Sequence, residues 1–238
     1  MELNGRKDVM NLAWMRYELR RVGIVALLTP VLIIFSFSFF GVLMRFNGVS
    51  ADRATRAVVA ALEIGVATAA GLIAAMLISS DPLLELQLSL ATRYRTTFAR
   101  RLCLLLVWSA LVAIVTTIIV LLIGHQLAPV SLLSEQLVWL APLVWFTGAG
   151  ALLALLLRSR AGSGGMIAGI WIAENVLGIR FGASDWLRPF FLFATSYKPG
   201  AYFWLSNRLE LVATGLILNA LVWLWLTRNP SILMGGEA

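Results

Sequence analysis

Six apolar blocks constrain the fold of this chain more than any other feature of its sequence. They cover residues 23–44, 57–79, 103–124, 137–157, 163–179 and 211–227. A bilayer core of about 30 Å needs roughly 20 apolar residues in a helix that rises about 1.5 Å per residue. Because the bilayer offers backbone amides no other partner, the blocks are expected to be helices. The sequence therefore predicts an all-α membrane protein with six transmembrane helices.

Composition supports this class and suggests a single domain covering residues 1–238. Hydrophobic residues make up 60% of the chain and charged residues 13%, whereas soluble domains carry about 25% charged residues. Residues 1–22 mix rings and leucines with arginines, a pattern that predicts an amphipathic helix lying in the inner interface. The first apolar block is too long for the core of a signal peptide.

The lysine and arginine residues predict the orientation of the chain. With the N-terminus inside, twelve of them fall on the inner side and seven on the outer side. Because cytoplasmic loops carry an excess of these residues, both termini are expected in the cytoplasm. The net charge of +7 then indicates an inner basic belt that faces anionic membrane lipid. The sequence contains no basic cluster of the size that fits a nucleic-acid groove, so no nucleic-acid partner is expected.

Residues that carry chemistry are scarce. The chain has one histidine, His125, and one cysteine, Cys103. No metal site built from clustered His and Cys is therefore available, and a catalytic triad has a single possible base. The sequence also lacks a phosphate-binding loop of the form G-x-x-x-x-G-K-[ST]. We therefore do not expect this chain to be an enzyme or to hold a metal or cofactor of its own.

Two acids lie within the apolar blocks. Glu63, and Glu174 beside Asn175, are each predicted about two helical turns in from the outer end of their span. A central acid in a membrane costs about 2.5–3.5 kcal/mol, so it usually faces a partner or a wet cavity. Glu63, Glu174 and Asn175 are therefore candidates for a translocation pathway. The alternative is that the carboxyl groups are protonated, or hydrogen-bonded to a neighbouring helix, and only hold the bundle together.

Small residues predict which spans face other helices. The second block contains Gly65 and Gly71, and the fifth contains Gly165 and Gly169 at small-xxx-small spacing. Such spacing lets helix backbones approach closely in lipid. We expect these four glycines at helix interfaces.

Residues 181–210 form an unusual outer segment, rich in aromatic side chains and interrupted by Pro189, Pro199 and Gly200. Aromatic residues near arginine and lysine prefer the membrane interface. Irregular backbone at membrane depth is tolerated only where it is buried against protein or lines a cavity. We expect a re-entrant segment that dips into the outer leaflet; the alternative is an interfacial anchor with no role in transport.

A charged segment, residues 81–101, separates the second and third blocks. Asp81 followed by Pro82 is a good helix start, because the acid accepts from free amides and the missing proline N–H costs nothing there. A leucine-rich surface and a basic end follow. The pattern predicts an amphipathic helix at the inner membrane surface; the alternative is a solvated loop that obeys only the positive-inside rule.

Within this segment the order of residues is specific: an acid, a leucine run and a basic position. The residues concerned are Glu85, Leu88, Ser89, Leu90 and Arg93. In this order they resemble the intracellular segment of ATP-binding-cassette transporter permeases of the type-2 exporter class. Ala91 stands where that family commonly has proline, so the local bend differs. The last span, the N-terminal interfacial helix and the aromatic outer segment also resemble the family's architecture.

The resemblance implies half of a transporter in a bacterial plasma membrane. A second permease copy, identical or related, would complete the pathway, and separate ATPase subunits would bind ATP and Mg. The segment would act as a cytoplasmic coupling helix seated in a groove of the ATPase. The coupling residues would be Leu84, Glu85, Leu88, Ser89, Arg93 and Arg95.

Two other functions remain open. One is a membrane scaffold or immunity-type protein that binds a partner and moves nothing. The other is an ion- or proton-conducting bundle that uses the paired glutamates.

Overall fold

The computed structural model of the protein describes residues 24–79, 94–122 and 132–228. Within these ranges the chain is helical and contains no strand. The helices are α1 (Ile24–Phe46), α2 (Ala51–Ala60), α3 (Ala67–Ser79), α4 (Tyr94–Leu122), α5 (Leu132–Leu157), α6 (Arg160–Phe181), α7 (Ala194–Tyr197) and α8 (Trp204–Arg228). A π-helical stretch, Ala61–Val66, joins α2 to α3 into one continuous helix, and a 3-10 turn covers Arg188–Phe190.

Five of these helical stretches are long and apolar enough to cross a membrane. They are Ala26–Phe46, Ala51–Ile78, Thr96–Leu122, Ser134–Leu157 and Trp204–Arg228. The fifth predicted block forms α6, a helix of 22 residues, but α6 is not among the five. Its glycine-rich start and the pair Glu174 and Asn175 lower its mean hydropathy. The described helices therefore include five candidate spans, one fewer than the sequence predicts.

Helix α5 lies between two partners, α3 and α8, and two glycines explain why both can approach it. Gly148 and Gly150 are two residues apart, which places them about 200° apart around a helix with 3.6 residues per turn. A Cβ at Gly148 would lie 3.0 Å from the Gly215 carbonyl of α8, and one at Gly150 would meet the Gly71 carbonyl of α3. Both faces of α5 therefore make backbone-to-backbone contacts, as expected for small residues at helix crossings in lipid.

Two side-chain hydrogen bonds also join helices of the bundle. At the α5–α8 crossing, Asn219 Nδ2 donates to the Val144 carbonyl at 3.1 Å. Helix α1 contains Pro30, which cannot donate a backbone hydrogen bond and so weakens the ladder in that turn. In the same turn Trp108 Nε1 of α4 donates to the Leu27 carbonyl at 2.7 Å. This bond ties α1 to α4, although most of the large side chains of α1 point outward.

Several predicted features lie outside the described residues. These are the N-terminal interfacial helix at residues 1–22, His125, and the proposed coupling residues Leu84, Glu85, Leu88, Ser89 and Arg93. Arg95 falls in the first turn of α4. The basic end of the charged segment, from residue 94 to 101, continues into the third span without a break. Cys103 follows in the same helix and is exposed.

Candidate functional site

The most unusual feature of the described structure is a buried ion pair between Glu63 and Arg208. Both side chains have no exposed surface. Arg208 Nη2 of α8 donates to Glu63 Oε1 at 2.5 Å. The two residues are 145 positions apart in the sequence, so the pair joins the start of the last helix to the second span.

Three further donors complete the surroundings of the Glu63 carboxylate. The backbone N–H of Thr195 donates to Oε1 at 2.9 Å. The backbone N–H of Ser196 donates to Oε2 at 2.7 Å, and its hydroxyl donates to the same oxygen at 2.5 Å. Hydrogen bonds to an ionised acceptor are shorter and about twice as strong as neutral ones. One side chain therefore holds both α8 and the short helix α7.

The local backbone explains how Glu63 reaches this position. Glu63 lies in the π-helical stretch Ala61–Val66. A π-helical turn is wider than an α-helical one and often occurs at functional sites. In this stretch three successive residues, Ala61, Leu62 and Glu63, are all buried. The wide turn thus lets an acid point into the bundle between apolar neighbours.

Arg208 makes contacts on two further sides. Its Nη1 donates to the Leu192 carbonyl at 3.0 Å. Its guanidinium carbon lies 5.7 Å from the centroid of the Trp204 ring, within the range of a cation–π interaction. The Trp204 indole in turn donates to the Thr195 hydroxyl at 2.9 Å.

Glu174 and Asn175 approach the same region from α6. Glu174 Oε2 accepts the backbone N–H of Leu192 at 3.2 Å, and the residue is buried. Asn175 is exposed; its Oδ1 accepts the Tyr197 hydroxyl at 2.8 Å. Burial raises the pKa of the Tyr197 phenol, and the nearby carboxylates of Glu174 and Glu63 raise that pKa further. Tyr197 therefore remains a donor at neutral pH.

We call the residues that meet here the Glu63–Arg208 cluster. Its members are Glu63, Glu174, Leu192, Thr195, Ser196, Trp204 and Arg208. It joins the second span, α6 and α8 to the connection between α6 and α8. Within the described residues no group of three or more His, Cys, Asp or Glu side chains is placed to hold a metal ion. The chemistry that this cluster offers is charge pairing and hydrogen bonding.

The connection between α6 and α8, residues 182–203, is called the outer cap below, after the side of the membrane on which the sequence predicts it. Its central part, residues 191–195, is buried. Phe193 stacks on Phe146 of α5 with ring centroids 6.0 Å apart. Asn207 Nδ2 donates to the carbonyls of Arg188 and Phe191 at 2.7 and 3.1 Å. The predicted outer segment 181–210 thus contains this cap, and its last seven residues, 204–210, already belong to α8.

The glycines expected at helix interfaces differ in their surroundings. A Cβ at Gly71 would lie 2.8 Å from the Phe146 carbonyl, and one at Gly65 would lie 2.6 Å from the Ile33 side chain. Both glycines of the second span therefore sit at helix contacts within the chain. A Cβ at Gly165 or Gly169 would meet nothing within 4 Å. These two glycines of α6 face away from the rest of the described chain.

The strongest members of the site leave little trace in the sequence. The sequence places Arg208 in an outer segment, because the last apolar block begins only at residue 211. The helix in fact begins at Trp204, and an arginine four residues inside a span is a signal that a buried acid needs a partner. Thr195 and Ser196 act mainly through backbone N–H groups, which leave no mark on the sequence.

No protein-family model, curated protein or solved structure matches this chain.

Proposed function

We propose that this chain is the transmembrane permease subunit of an ATP-driven exporter of the type-2 class of ATP-binding-cassette transporters. Two features support the proposal. One is the order of residues between Glu85 and Arg93, and the other is a helical bundle with several candidate spans. The chain would form half of the pathway with a second permease copy. Separate ATPase subunits would bind below and supply ATP hydrolysis.

The observation that carries the proposal is the mechanical continuity of the bundle. The segment that would receive force connects α3 to α4. Helix α3 meets α5 at Gly71 and Gly150, and α5 meets α8 at Gly148 and Gly215. Packed interiors are dense and transmit strain. A push on the end of α3 would therefore reach α8 and the Glu63–Arg208 cluster near the middle of the second span.

Six crossings are part of this proposal, with α6 as the sixth. Its 22 residues would cover about 33 Å at about 1.5 Å per residue, enough for a bilayer core of about 30 Å. Gly164, near its start, lies close to Leu72 of α3. Glu174, ten positions later, reaches the cluster that contains Glu63. Helix α6 thus runs antiparallel to the second span between these two contacts, which supports a crossing and two cytoplasmic termini.

The proposed pathway keeps Glu63, Glu174 and Asn175 as lining residues. In the described conformation the two carboxylates are buried and hydrogen-bonded, while Asn175 is exposed. Both carboxylates would reach the pathway only after the outer cap moves.

The test is co-purification with an ATPase, followed by measurement of ATP hydrolysis by the complex. Glu85→Lys reverses a charge at the proposed docking surface and should lower ATP hydrolysis by the complex while membrane insertion stays intact. Asp52→Lys is the matched control, because it makes the same charge change at an exposed position of α2. Unchanged assembly and activity in Glu85→Lys would contradict the coupling assignment. Failure of any ATPase to bind would favour a scaffold or immunity-type role.

A further inference from the structure

We propose that the outer cap is a movable lid, held closed by the Glu63–Arg208 cluster, and that its release opens the outer end of the bundle. The inference goes beyond the proposed function in assigning the moving part and the contact that holds it. Its link to transport rests on the proposed function; its mechanical content rests on the contacts of residues 182–203 alone.

The polar contacts that hold the cap are concentrated on one carboxylate, that of Glu63. Glu63 accepts three hydrogen bonds from Thr195 and Ser196 of the cap and one from Arg208. Arg208 in turn binds the Leu192 carbonyl of the cap. A change at either side chain therefore affects nearly every polar contact that the buried middle of the cap makes with the second span.

The backbone hydrogen bonds of the cap depend in part on side chains of other helices. Between α6 and α8 only a 3-10 turn and a four-residue helix provide regular structure. The turns of the cap satisfy part of its backbone internally. Further backbone groups of its buried middle are bound by side chains of other helices, those of Glu63, Glu174, Asn207 and Arg208. Water can replace such bonds one by one, whereas an intact helix keeps its own ladder. The cap can therefore detach while α6 and α8 stay folded.

A glycine lies near each end of the cap. Gly182 follows α6 directly, and a Cβ there would lie 3.0 Å from the Phe191 ring. Gly200, four residues before α8, has a φ of +78°, a conformation that glycine adopts without the cost to other residues. Hinges are typically a few loop or element-terminal residues that absorb backbone rotation.

The contact that holds the cap contains a buried ion pair, that of Glu63 and Arg208. A buried ion pair is weak evidence for stability, because apolar residues of similar volume often serve as well, and its best-attested use is in fixing register or in a switch. The middle of the cap is otherwise aromatic and aliphatic, and Phe191, Leu192 and Phe193 are all fully buried. An apolar contact at Glu63 would have been enough to keep the cap in place permanently. A charged contact gives two discrete states, paired and hydrated.

The test uses single-cysteine reporters in purified protein in lipid nanodiscs. The only natural cysteine, Cys103, is first changed to serine. Ala194→Cys and Leu192→Cys place a thiol at positions with almost no exposed surface, and Tyr202→Cys places one at a position that is 84% exposed. The rate of reaction with a membrane-impermeant maleimide then reports how often the cap opens.

Glu63→Gln should raise the labelling rate of both buried reporters at least tenfold and leave that of Tyr202→Cys within twofold. Ser196→Ala, which removes one of the four donors, should give a smaller rise in the same direction and serves if Glu63→Gln is poorly folded. Asp185→Asn, which removes an ion pair between the exposed Asp185 and the half-buried Arg188 within the cap, should change nothing. Equal rates in wild type, Glu63→Gln and Ser196→Ala would overturn the proposal, as would a rise at all three reporters together.

The same reporters separate this inference from the proposed function. Faster labelling in Glu63→Gln without any ATPase supports the movable cap on its own. If an ATPase binds and its turnover also accelerates labelling of the wild-type cap, both proposals are supported. If turnover leaves the rate unchanged while Glu63→Gln still raises it, the cap is movable and its link to transport is wrong.

Discussion

The pair of Glu63 and Arg208 makes a quantitative prediction about stability. Glu63→Gln keeps the shape of the side chain but leaves the fully buried Arg208 guanidinium without its counter-charge. The donors on Thr195 and Ser196 also lose a charged acceptor. Both effects are destabilising, and neither is screened by solvent, so the loss should be large for a single substitution.

The size of the loss can be worked out from the burial of the pair. Removing one partner of a buried ion pair costs about 3–5 kcal/mol. A chain of about 150–250 residues changes its melting temperature by about 2–4 °C per kcal/mol. For this chain of 238 residues, Glu63→Gln should therefore melt about 6–20 °C below wild type.

The control is the ion pair of Asp185 and Arg188, in which the substituted Asp185 side chain is 86% exposed and the Arg188 side chain is 21% exposed. Exposed pairs contribute about 0–1 kcal/mol, so Asp185→Asn should shift the melting temperature by less than about 4 °C. The assay is thermal unfolding in detergent, followed by intrinsic tryptophan fluorescence and by size exclusion of the heated samples.

A double variant tests the physical reason for the loss. Glu63→Gln combined with Arg208→Gln leaves no uncompensated charge, so its loss should be smaller than the sum of the two single losses. Additive losses, or equal shifts in Glu63→Gln and Asp185→Asn, would refute the reasoning from buried charge.

Two further predictions concern the helix contacts. Gly150→Ala adds a methyl group against the Gly71 carbonyl and should destabilise the protein by about 1–3 kcal/mol, whereas Gly169→Ala, where the space is open, should leave the melting temperature unchanged; equal effects would contradict the assignment of the α3–α5 crossing. Trp108→Phe removes the hydrogen bond to the Leu27 carbonyl and should cost about 1 kcal/mol, seen as a small drop in melting temperature that is absent in Trp186→Phe, a tryptophan that is 83% exposed.

Much of the helical architecture was accessible from the sequence because bilayer thickness and backbone hydrogen bonding leave few options for long apolar blocks. The ends of the helices were less accessible. Helix α4 begins at Tyr94 and α8 at Trp204, nine and seven residues before the apolar blocks that predict them. Polar and charged residues at an interface do not break a helix. Hydropathy alone therefore places the first residues of these two helices too far along the chain.

The candidate site was predicted in part. The cost of an acid in a membrane identifies Glu63 and Glu174 as residues that need partners, and one alternative is a hydrogen bond to a neighbouring helix. In the structure Glu63 is bonded to α7 and α8, whereas Glu174 is bonded to Leu192 in the cap. Their partners could not be derived, because most are backbone groups of an irregular segment. The π-helical stretch around Glu63 was equally hidden, since a one-residue change of helical register has no hydropathy signature.

The double glycine contact of α5 has a consequence for any motion of this molecule. With a carbonyl of α3 pressed against one side and a carbonyl of α8 against the other, α5 has no room to slide or rotate on its own. The three helices form a stiff slab, and conformational freedom is left to what surrounds it: α1, which is tied to α4 through the Trp108 indole, α6, and the cap. Under the proposed export function, a substrate would pass along the border of that slab, where side chains give way more easily than backbones.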